Sequence, residues 1–328
     1  MTDKRSILIL VLLTMTFVIV ACGKKPVNEV NPDILFNTEE HEGQLTVHFF
    51  DLIAPDRYEK TGESILVTTP KGKTILIDAG KPMVGELLND YLNALEIDTI
   101  DYAMPSHPHF DHIGGYLTIF EEKEVKEIKQ INLPHEESKH YVQYADLIEE
   151  KNIPVSYIEE GDVIEIEEDV TLEVYNPMAG LSPETYSFGT LSAGIINDVS
   201  AVMKLTYKDT TFLFTGDIYR GVENSLVNKY EEELDVDVLV APHHGLGTSS
   251  SDEFIEATKP DITIFPTNVL FDLTIVNKYK DAESDVYVTK FDGNIMLMSN
   301  GKKIDVYREH EEDVDTDDPN EVENNEEV

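Results

Sequence analysis

The chain has 328 residues, of which 41% are hydrophobic, and its formal net charge at pH 7 is −40. A chain of this length and composition can bury a large core in one domain or two. Its overall negative field disfavours binding to long nucleic acid, and the sequence has no cluster of Lys and Arg that could form a local basic groove. Cys22 is the single cysteine, which excludes a disulfide within the chain.

The N-terminus has the pattern of an export signal. Lys4 and Arg5 precede residues 7–20, a run of 14 residues that is apolar apart from two threonines. This run is short for a membrane-spanning helix and has the length of a signal-peptide core. We therefore predict that residues 1–21 are a signal peptide.

Ala21 and Cys22 follow that run, and a small residue before the sole cysteine resembles the lipobox of bacterial lipoproteins. The resemblance implies cleavage after Ala21 and lipid attachment to Cys22, and the alternative is an uncleaved N-terminal anchor with an incidental cysteine. Either way we predict a protein held at the cell membrane and facing its extracytoplasmic side; two or three acyl chains make such anchoring stable. Residues 22–43 carry Pro, Asn and Glu with little periodicity, which predicts a linker.

Residues 44–308 are predicted to form one domain that begins with β-structure. Leu45 to Phe50 is strand-like, and residues 64–69 and 74–77 form a predicted hairpin. Asp78 follows this hairpin, and a plain turn aspartate before glycine is one interpretation of it. Apolar residues at helical spacing then predict a helix over residues 83–95.

The next segment concentrates metal-binding side chains. Residues 106–115 read Ser-His-Pro-His-Phe-Asp-His-Ile-Gly-Gly and follow a short apolar strand at residues 100–104. Pro105 and Pro108 prevent a helix from running through the segment, which predicts a loop between that strand and a helix near Tyr116. Three imidazoles and one carboxylate within six positions are ligands that suit zinc and its neighbours. The candidate ligands are His107, His109, Asp111 and His112.

Residues 128–175 are predicted to hold four strands, the first at residues 128–133, and a helix at residues 138–151. His135 and His140 lie in this region, and we predict ordinary surface or helix histidines rather than ligands. Residues 177–196 are irregular, and a loop of this length either shapes the substrate entrance or is a disordered insertion.

Two strand ends in the second half carry further candidate ligands. A predicted strand at residues 211–214 runs into Thr-Gly-Asp217, and another at residues 236–240 runs into Ala-Pro-His243-His244-Gly. The residues alone leave open which of the two histidines is a ligand. A carboxylate such as Asp217 can serve two cations, because each of its oxygens can bind one.

The C-terminal part is predicted to continue the β pattern and then lose structure. Residues 286–289 and 295–298 are predicted strands, with Asp292-Gly293 as a hairpin turn between them. Residues 309–328 hold 11 acidic side chains and no Lys or Arg, which predicts a disordered acidic tail.

These segments together resemble the metallo-β-lactamase-fold hydrolases, above all through His-x-His-x-Asp-His followed by Gly-Gly. The resemblance implies an α/β fold, a four-layer αββα sandwich, with one or two metal ions, usually zinc, at its edge. The details are most similar to the hydrolase domain of competence DNA-uptake channel proteins. The shared traits are Gly-Glu-Ser at 62–64, Leu-Ile-Asp-Ala-Gly at 76–80, Asn-Asp-Val-Ser at 197–200, Phe-Thr-Gly-Asp at 214–217 and Pro-His-His-Gly at 242–245.

For the first metal, the resemblance implies His107 and His109 as ligands and Asp217 as the bridge to the second metal. Most members of the superfamily have a further histidine on the strand before the bridging aspartate. Asn197 or Asp198 stands in that place here, so the first metal is expected to have fewer protein ligands and more water.

For the second metal, the resemblance implies Asp111, His112 and His243. His244 is the alternative ligand, or it faces the substrate as an acid or an oxyanion donor. Asp111 is also expected to orient the attacking water, and Asp78 to support the metal loop by hydrogen bonding.

The leading functional prediction is a lipid-anchored phosphodiesterase with two divalent ions, zinc or manganese. Such ions ionise a bound water near neutral pH and neutralise the charge that builds on a scissile phosphate. The expected substrate is a small or polymeric phosphoester. The alternatives are a hydrolase of a lactone, thioester or β-lactam, and a non-catalytic surface lipoprotein that keeps the fold. The sequence does not determine the oligomeric state.

Overall fold

The computed structural model describes residues 28–53, 60–183, 192–270 and 273–311. The predicted signal peptide, Cys22 and residues 312–328 of the acidic tail lie outside these ranges, so their predictions stay predictions. Within the ranges, the helices are all too short or too polar to cross a membrane.

Sixteen strands make up two sheets in the described part of the chain. In chain order the strands are β1 (Asn28–Val30), β2 (Leu45–Phe49), β3 (Ile65–Thr68), β4 (Thr74–Ile77), β5 (Thr99–Met104), β6 (Glu124–Gln130), β7 (Val155–Tyr157), β8 (Val163–Glu167), β9 (Val170–Asn176), β10 (Val202–Tyr207), β11 (Thr210–Phe214), β12 (Val238–Val240), β13 (Ile262–Phe265), β14 (Asp285–Val288), β15 (Ile295–Ser299) and β16 (Ile304–Arg308).

The helices cover the outer faces of the sheets and fill the connections. In chain order they are α1 (Pro32–Leu35), α2 (Thr38–His41), α3 (Gly85–Ala94), α4 (Phe110–Ile113), α5 (Tyr116–Glu122), α6 (Lys139–Lys151), α7 (Ala193–Asp198), α8 (Arg220–Tyr230), α9 (Asp252–Thr258), α10 (Leu273–Asp281) and α11 (Thr289–Asp292). Short 3-10 turns at residues 82–84, 231–234 and 242–245 complete the described elements.

Parallel pairing at the centre of each sheet determines where the functional loops lie. The first sheet has the order β1-β16-β15-β2-β3-β4-β5-β6-β7, and β4, β5 and β6 run parallel in it. The second has the order β14-β13-β12-β11-β10-β9-β8, and β11, β12 and β13 run parallel. The carboxyl ends of parallel strands meet at one edge of a sheet, so the loops after β4, β5, β11 and β12 can converge.

Alternating side chains sort each central strand between two hydrophobic layers. In β4, Ile75 and Ile77 join the core that the two sheets share, whereas Leu76 joins the core under the helices of the first sheet. In β12, Val238 and Val240 join the shared core, and Leu239 joins the core under the helices of the second sheet. This period-two alternation produces a sandwich with helices on both outer faces. The αββα prediction is therefore confirmed.

Residues 28–43, which we call the N-terminal cover, differ from the predicted linker. β1 pairs with β16, and Leu35 of α1 is fully buried against Met296, Met298 and Tyr307. The linker prediction is wrong over this stretch, because the apolar residues Ile34 and Leu35 find a hydrophobic surface on the outer face of the first sheet. Residues 22–27 lie outside the described residues.

Three further local predictions are wrong. Asp292-Gly293 is not a hairpin turn, since β14 pairs in the second sheet and β15 in the first. The predicted irregular loop at residues 177–196 ends in the first residues of helix α7, which Ser192 caps by accepting a hydrogen bond from the Ile195 amide, and residues 184–191 of that loop lie outside the described residues. The strand expected at residues 128–133 runs instead over Glu124–Gln130, because pairing with β5 overrides the charged pattern at its start.

Candidate metal centre

The loop after β5 presents its histidines on a rigid frame. His109 ends the loop in an extended conformation, and its carbonyl accepts the His112 amide at the start of α4. The Nε2 of His107 lies 2.9 Å from the Nδ1 of His109, so two ring nitrogens converge on one spot. Ser106 donates its hydroxyl to Asp78, so His107 must donate from Nδ1 to the Ser106 Oγ at 3.0 Å. This pattern leaves a lone pair on the His107 Nε2.

Asp217 lies opposite this loop, at the end of β11. Its side chain is buried, and the left-handed Gly216 before it (φ 51°) packs so tightly that an added Cβ would come within 2.8 Å of Ser200. The Oδ2 of Asp217 lies 3.3 Å from the His112 Nε2 and 4.0 Å from the His107 Nε2. Segments more than one hundred residues apart therefore meet at one carboxylate.

The loop after β12 supplies the two adjacent histidines. Both have left-handed backbones, with φ of 53° for His243 and 55° for His244. The His244 Nε2 lies 3.3 Å from the Asp217 Oδ1, and the His243 Nε2 lies 3.6 Å from the Asp217 Oδ2. Each histidine thus approaches a different oxygen of the same carboxylate.

The potential ligand atoms of the described residues form three overlapping groups, each within 4.8 Å: His107, His112 and Asp217; Asp111, His112 and His244; and, behind the metal loop, Glu63, Asp78 and His112. The sequence interpretation joined His243, rather than His244, to Asp111 and His112. The geometry instead brings His244 together with Asp111 and His112. His244 also donates a hydrogen bond from Nδ1 to the Pro266 carbonyl at 3.1 Å. Its Nε2 therefore carries a lone pair that can bind a metal, and it has no proton to give to a substrate.

The donor set fits a pair of divalent ions. The His112 Nε2, the His244 Nε2 and the Asp217 Oδ1 are buried and have no hydrogen-bond partner among the described residues. Buried polar atoms are rarely left in that state, and a metal ion satisfies them. Imidazole nitrogens combined with carboxylate oxygens suit zinc and manganese.

Asp78 organises the metal loop from behind. It is fully buried, accepts the Ser106 amide and hydroxyl at 2.7 Å each, and lies 2.8 Å from the His112 Nδ1. A carboxylate on the far nitrogen orients a ligating imidazole and raises its basicity. Asp78 therefore has a larger role than an aspartate that only forms a turn. It contacts His112 directly and His107 through Ser106.

Asn197 and Asp198, at the end of α7, have different surroundings. The Asn197 Nδ2 lies 3.3 Å from the His243 Nε2 and 3.2 Å from the Tyr219 hydroxyl. The Asp198 Oδ1 accepts the Tyr219 amide at 3.3 Å. Asn197 is the one of the two that faces the metal centre.

The surrounding charges prepare the imidazoles for metal. Burial lowers the pKa of His244 to about 3 and of His109 to about 4, so both rings are neutral at pH 7. Burial also works to lower the pKa of His112, but Asp217 and Asp78 outweigh it and hold that pKa well above its ordinary value. A metal at the His112 Nε2 therefore competes with a proton, as is usual for ligands that must deprotonate.

Two neighbours of the centre were not singled out from the sequence. The Lys60 ammonium lies 3.3 Å from the Asp111 Oδ2. Glu63 is buried, with its Oε2 3.7 Å from the His244 Nδ1, and burial together with Asp78 raises its pKa well above the ordinary value. Gly62 holds this segment against the metal loop: an added Cβ would lie 1.8 Å from the Asp111 carbonyl oxygen. In the sequence, the Gly-Glu-Ser trait at residues 62–64 was the signal that could have drawn attention to Glu63.

His135 and His140 lie outside these groups. The His135 ring is 6.2 Å from the His109 ring, and the His140 ring stacks on Phe110 at 5.4 Å. Neither belongs to the metal-binding groups found among the described residues. That they are ordinary histidines stays a prediction.

Comparison with known proteins places this architecture in a family. The profile of the metallo-β-lactamase superfamily matches residues 58–183, which include the metal loop but not Asp217 or the two adjacent histidines. Among curated proteins, ComE operon protein 3 of Bacillus subtilis (strain 168) is 25% identical over 224 residues, covering 62% of this chain and 26% of that protein. Competence protein ComA of Neisseria gonorrhoeae is 40% identical over 68 residues, covering 21% of this chain and 10% of that protein.

The similarity to these relatives concerns a part of each of them, because the chain spans about a quarter and a tenth of their lengths. Among solved structures, a mutant of the CmlA β-hydroxylase superposes with a TM-score of 0.50 at 11% identity, over 78% of this chain and 54% of that one. A likeness at that identity concerns the fold alone. Residues 58–183 therefore match the profile of the metallo-β-lactamase superfamily, and the two-sheet architecture of the described residues agrees with that fold.

Proposed function

We propose that this protein is a phosphodiesterase that binds two divalent metal ions, anchored by lipid on Cys22 at the outer face of the cell membrane. The observation that carries the proposal is the shared carboxylate of Asp217. Imidazoles from two distant loops approach its two oxygens, and two of their nitrogens, together with the Asp217 Oδ1 itself, are buried without a hydrogen-bond partner among the described residues.

The chain's own residues divide into two ligand sets. His107 and His109 would hold one ion; Asp111, His112 and His244 would hold the other; Asp217 lies between them. When bound, the ions supply an ionised water near neutral pH and neutralise negative charge on the reacting group. Asp78 and the Pro266 carbonyl fix the rings of His112 and His244 before any ion arrives.

Asp111 is suited to orient the attacking water. Its carboxylate is only partly buried, so water reaches it, and Lys60 and His112 outweigh the effect of burial and hold its pKa below the ordinary value. An ionised carboxylate accepts a hydrogen bond from water and so fixes the direction of attack. His244 is a poor choice for a proton donor, because Pro266 occupies its N–H.

Lys60 favours a phosphodiester over a neutral ester as the substrate. Its ammonium lies beside Asp111 in a centre where Asp217, Asp78 and Glu63 are all buried acids. A cation next to the metal ligands stabilises a substrate that is negatively charged throughout the reaction. The formal charge of −40 disfavours long nucleic acid, so a small or polymeric phosphoester is the proposed substrate.

The test uses the full chain, purified and stripped of metal with EDTA. We expect no hydrolysis of bis(4-nitrophenyl) phosphate after stripping, and recovery when Zn²⁺ or Mn²⁺ is added. Parallel assays use a lactone, a thioester and a β-lactam. Faster turnover of any of these than of the phosphodiester would reverse the substrate assignment. Two bound metal equivalents with no turnover of any substrate would favour the non-catalytic alternative.

Anchoring is tested separately in the host cell. Labelled fatty acid should be incorporated into the wild-type chain but not into a Cys22→Ala variant, and only the variant should be released from membranes. A wild-type chain without label would contradict the lipid anchor, leaving the enzymatic proposal intact.

A further inference from the structure

The adjacent histidines of the β12 loop have an unusual backbone. Two consecutive non-glycine residues, His243 and His244, occupy the left-handed region. Such conformations are unfavourable for residues with a side chain and persist where the surroundings enforce them, often at functional sites. Here the His243 amide donates to the Gly216 carbonyl at 3.0 Å, which ties the loop to the Asp217 segment.

This backbone separates the two rings. Their centroids lie 6.3 Å apart with an interplanar angle of 51°, and their Nε2 atoms approach different oxygens of Asp217. His243 approaches Oδ2, the oxygen nearest to the His107 Nε2, whereas His244 approaches Oδ1. His112, with its Nε2 3.3 Å from Oδ2, lies between the two sides.

The hydrogen bonds of His243 leave its metal-facing nitrogen as an acceptor. The Asn197 Nδ2 can only donate, so the His243 Nε2, 3.3 Å away, presents a lone pair. The opposite nitrogen, Nδ1, then donates to the Thr248 Oγ1 at 2.6 Å. A ligating imidazole has the same arrangement, with its far N–H held by an oxygen and its near nitrogen free for the metal.

The two ligand sets are unequal without His243. The set on the side of His244 contains three side chains in addition to Asp217, whereas the set of His107 and His109 contains two. Asn197 lies beside His243, and its Oδ1 is buried without a hydrogen-bond partner among the described residues. The Asp198 Oδ1 instead accepts the Tyr219 amide, and Asp198 is in none of the metal-binding groups found among the described residues.

We propose that His243 completes the first metal position as a third protein nitrogen beside His107 and His109, with the Asn197 amide as its immediate neighbour. The two histidines of one loop then serve different ions, His243 the first and His244 the second. This inference rests on the proposed binding of two metals, and it makes His243 the substitute for a ligand that the strand before Asp217 does not provide.

The experiment measures metal stoichiometry and spectrum rather than activity. Metal-free wild type, His243→Ala and His244→Ala are titrated with Co²⁺, followed by visible absorption and by metal analysis after gel filtration. His140→Ala is the matched control, since His140 lies on α6 against Phe110 and outside the ligand sets. Circular dichroism of the metal-free proteins checks that each variant is folded, and His243→Gln replaces the alanine variant if that one is not.

We expect two equivalents in the wild type and in the control. Each histidine variant should retain one tightly bound equivalent of Co²⁺. Its affinity for the other equivalent should fall by more than roughly 100-fold, which is the loss expected when only a supporting hydrogen bond is removed. The Co²⁺ spectra of the two variants should differ, because each retains the ion that the other has lost.

A folded His243→Ala variant that binds two equivalents with wild-type affinity and spectrum would overturn the inference while leaving the proposed function standing. Identical spectra for the two variants would also overturn it, since both histidines would then serve one ion. A wild type that binds no Co²⁺ would refute the proposed function itself.

Discussion

The metal centre and the contact between the N-terminal cover and β2 both contain histidines, and the comparison shows what distinguishes a ligand from a structural side chain. In the cover region, the His41 Nε2 lies 2.7 Å from the Ile34 carbonyl and the His48 Nε2 lies 2.9 Å from the Leu35 carbonyl. These carbonyls are at the end of α1, where a helix leaves its acceptors unsatisfied. The histidines there hold a short segment in place.

In the metal centre, Asp78 lies at the Nδ1 of His112, and the Pro266 carbonyl accepts from the Nδ1 of His244. The Nε2 atoms of both rings converge on Asp217. The His41 and His48 rings are close to each other, at 5.5 Å, but no metal-binding group of three residues forms around them in the described ranges. Closeness of two imidazoles is therefore not sufficient for a metal site, which needs at least three protein ligands at the same place. Each of the four predictions that follow perturbs one of the two regions.

The largest effect is expected from Asp217→Asn in the metal centre. The amide removes the charge that attracts both ions while keeping the shape of the side chain. Phosphodiester hydrolysis should fall by at least about 100-fold, the scale on which removal of one electrostatic group at a reacting centre acts. Asp209→Asn, in the exposed turn before β11, is the control and should retain activity. Unchanged metal content and activity in the Asp217 variant would separate this residue from the metal centre.

Leu35→Ala tests the N-terminal cover. The side chain is fully buried against Met296, Met298 and Tyr307, and truncating it should lower the free energy of unfolding by about 2–5 kcal/mol. The comparison variant is Val30→Ala, which is 43% exposed and should change stability by less than about 0.5 kcal/mol. Urea unfolding measures both. Equal stability of the two variants would mean that the cover does not contribute to the core.

His48→Gln tests the electrostatic side of the cover. Burial lowers the pKa of His48 to about 3, below the unfolded value of about 6.5. The neutral ring therefore stabilises the fold fully above pH 6.5, and that contribution is lost as the pH falls towards 3, by up to about 1.4 kcal/mol per pH unit. The variant should lose this part of the slope in unfolding experiments between pH 7 and pH 4. If stability depends on pH as steeply in the variant as in the wild type, the titrating group is not His48.

The smallest effect is expected from Lys60→Gln at the edge of the metal centre. Loss of a charge-assisted contact to a phosphate oxygen should lower kcat/KM for a phosphodiester by about 10-fold and leave metal content unchanged. Hydrolysis of a neutral carboxylic ester should change much less. Lys71→Gln is the control, because Lys71 pairs with Glu168 on the exposed hairpin. Equal losses on both substrates would argue that Lys60 supports Asp111 rather than the substrate.

Part of the site was predictable because its ligands are contiguous. His107, His109, Asp111 and His112 come from one loop, so their spacing alone brings them together. Asp217 and the two adjacent histidines were predicted as candidates because their segments resemble metal-ligand motifs of the metallo-β-lactamase-fold hydrolases, and the parallel strands before them bring these side chains to a common edge. Their grouping was not predictable, since it depends on the left-handed backbone of His243 and His244.

Other features had no usable local signal. Lys60 is one of 25 Lys and Arg residues, and nothing in its immediate sequence marks it as a neighbour of Asp111. The cover was interpreted as a linker because β1, α1 and α2 are too short to show a period. α8 and α10 were not predicted either, although they bury Leu226, Ile275 and Val276 under the second sheet.

The sequence by itself determined the metal loop, because its candidate ligands are contiguous, and its resemblance to the metallo-β-lactamase-fold hydrolases predicted the αββα class and the two strand ends with further candidate ligands. Only the tertiary structure decided which oxygen of Asp217 each histidine approaches, which residues support the ligands from behind, and that residues 28–43 are part of the domain. Those outcomes depend on backbone direction and on contacts between segments far apart in the chain, and a one-dimensional pattern carries no information about either.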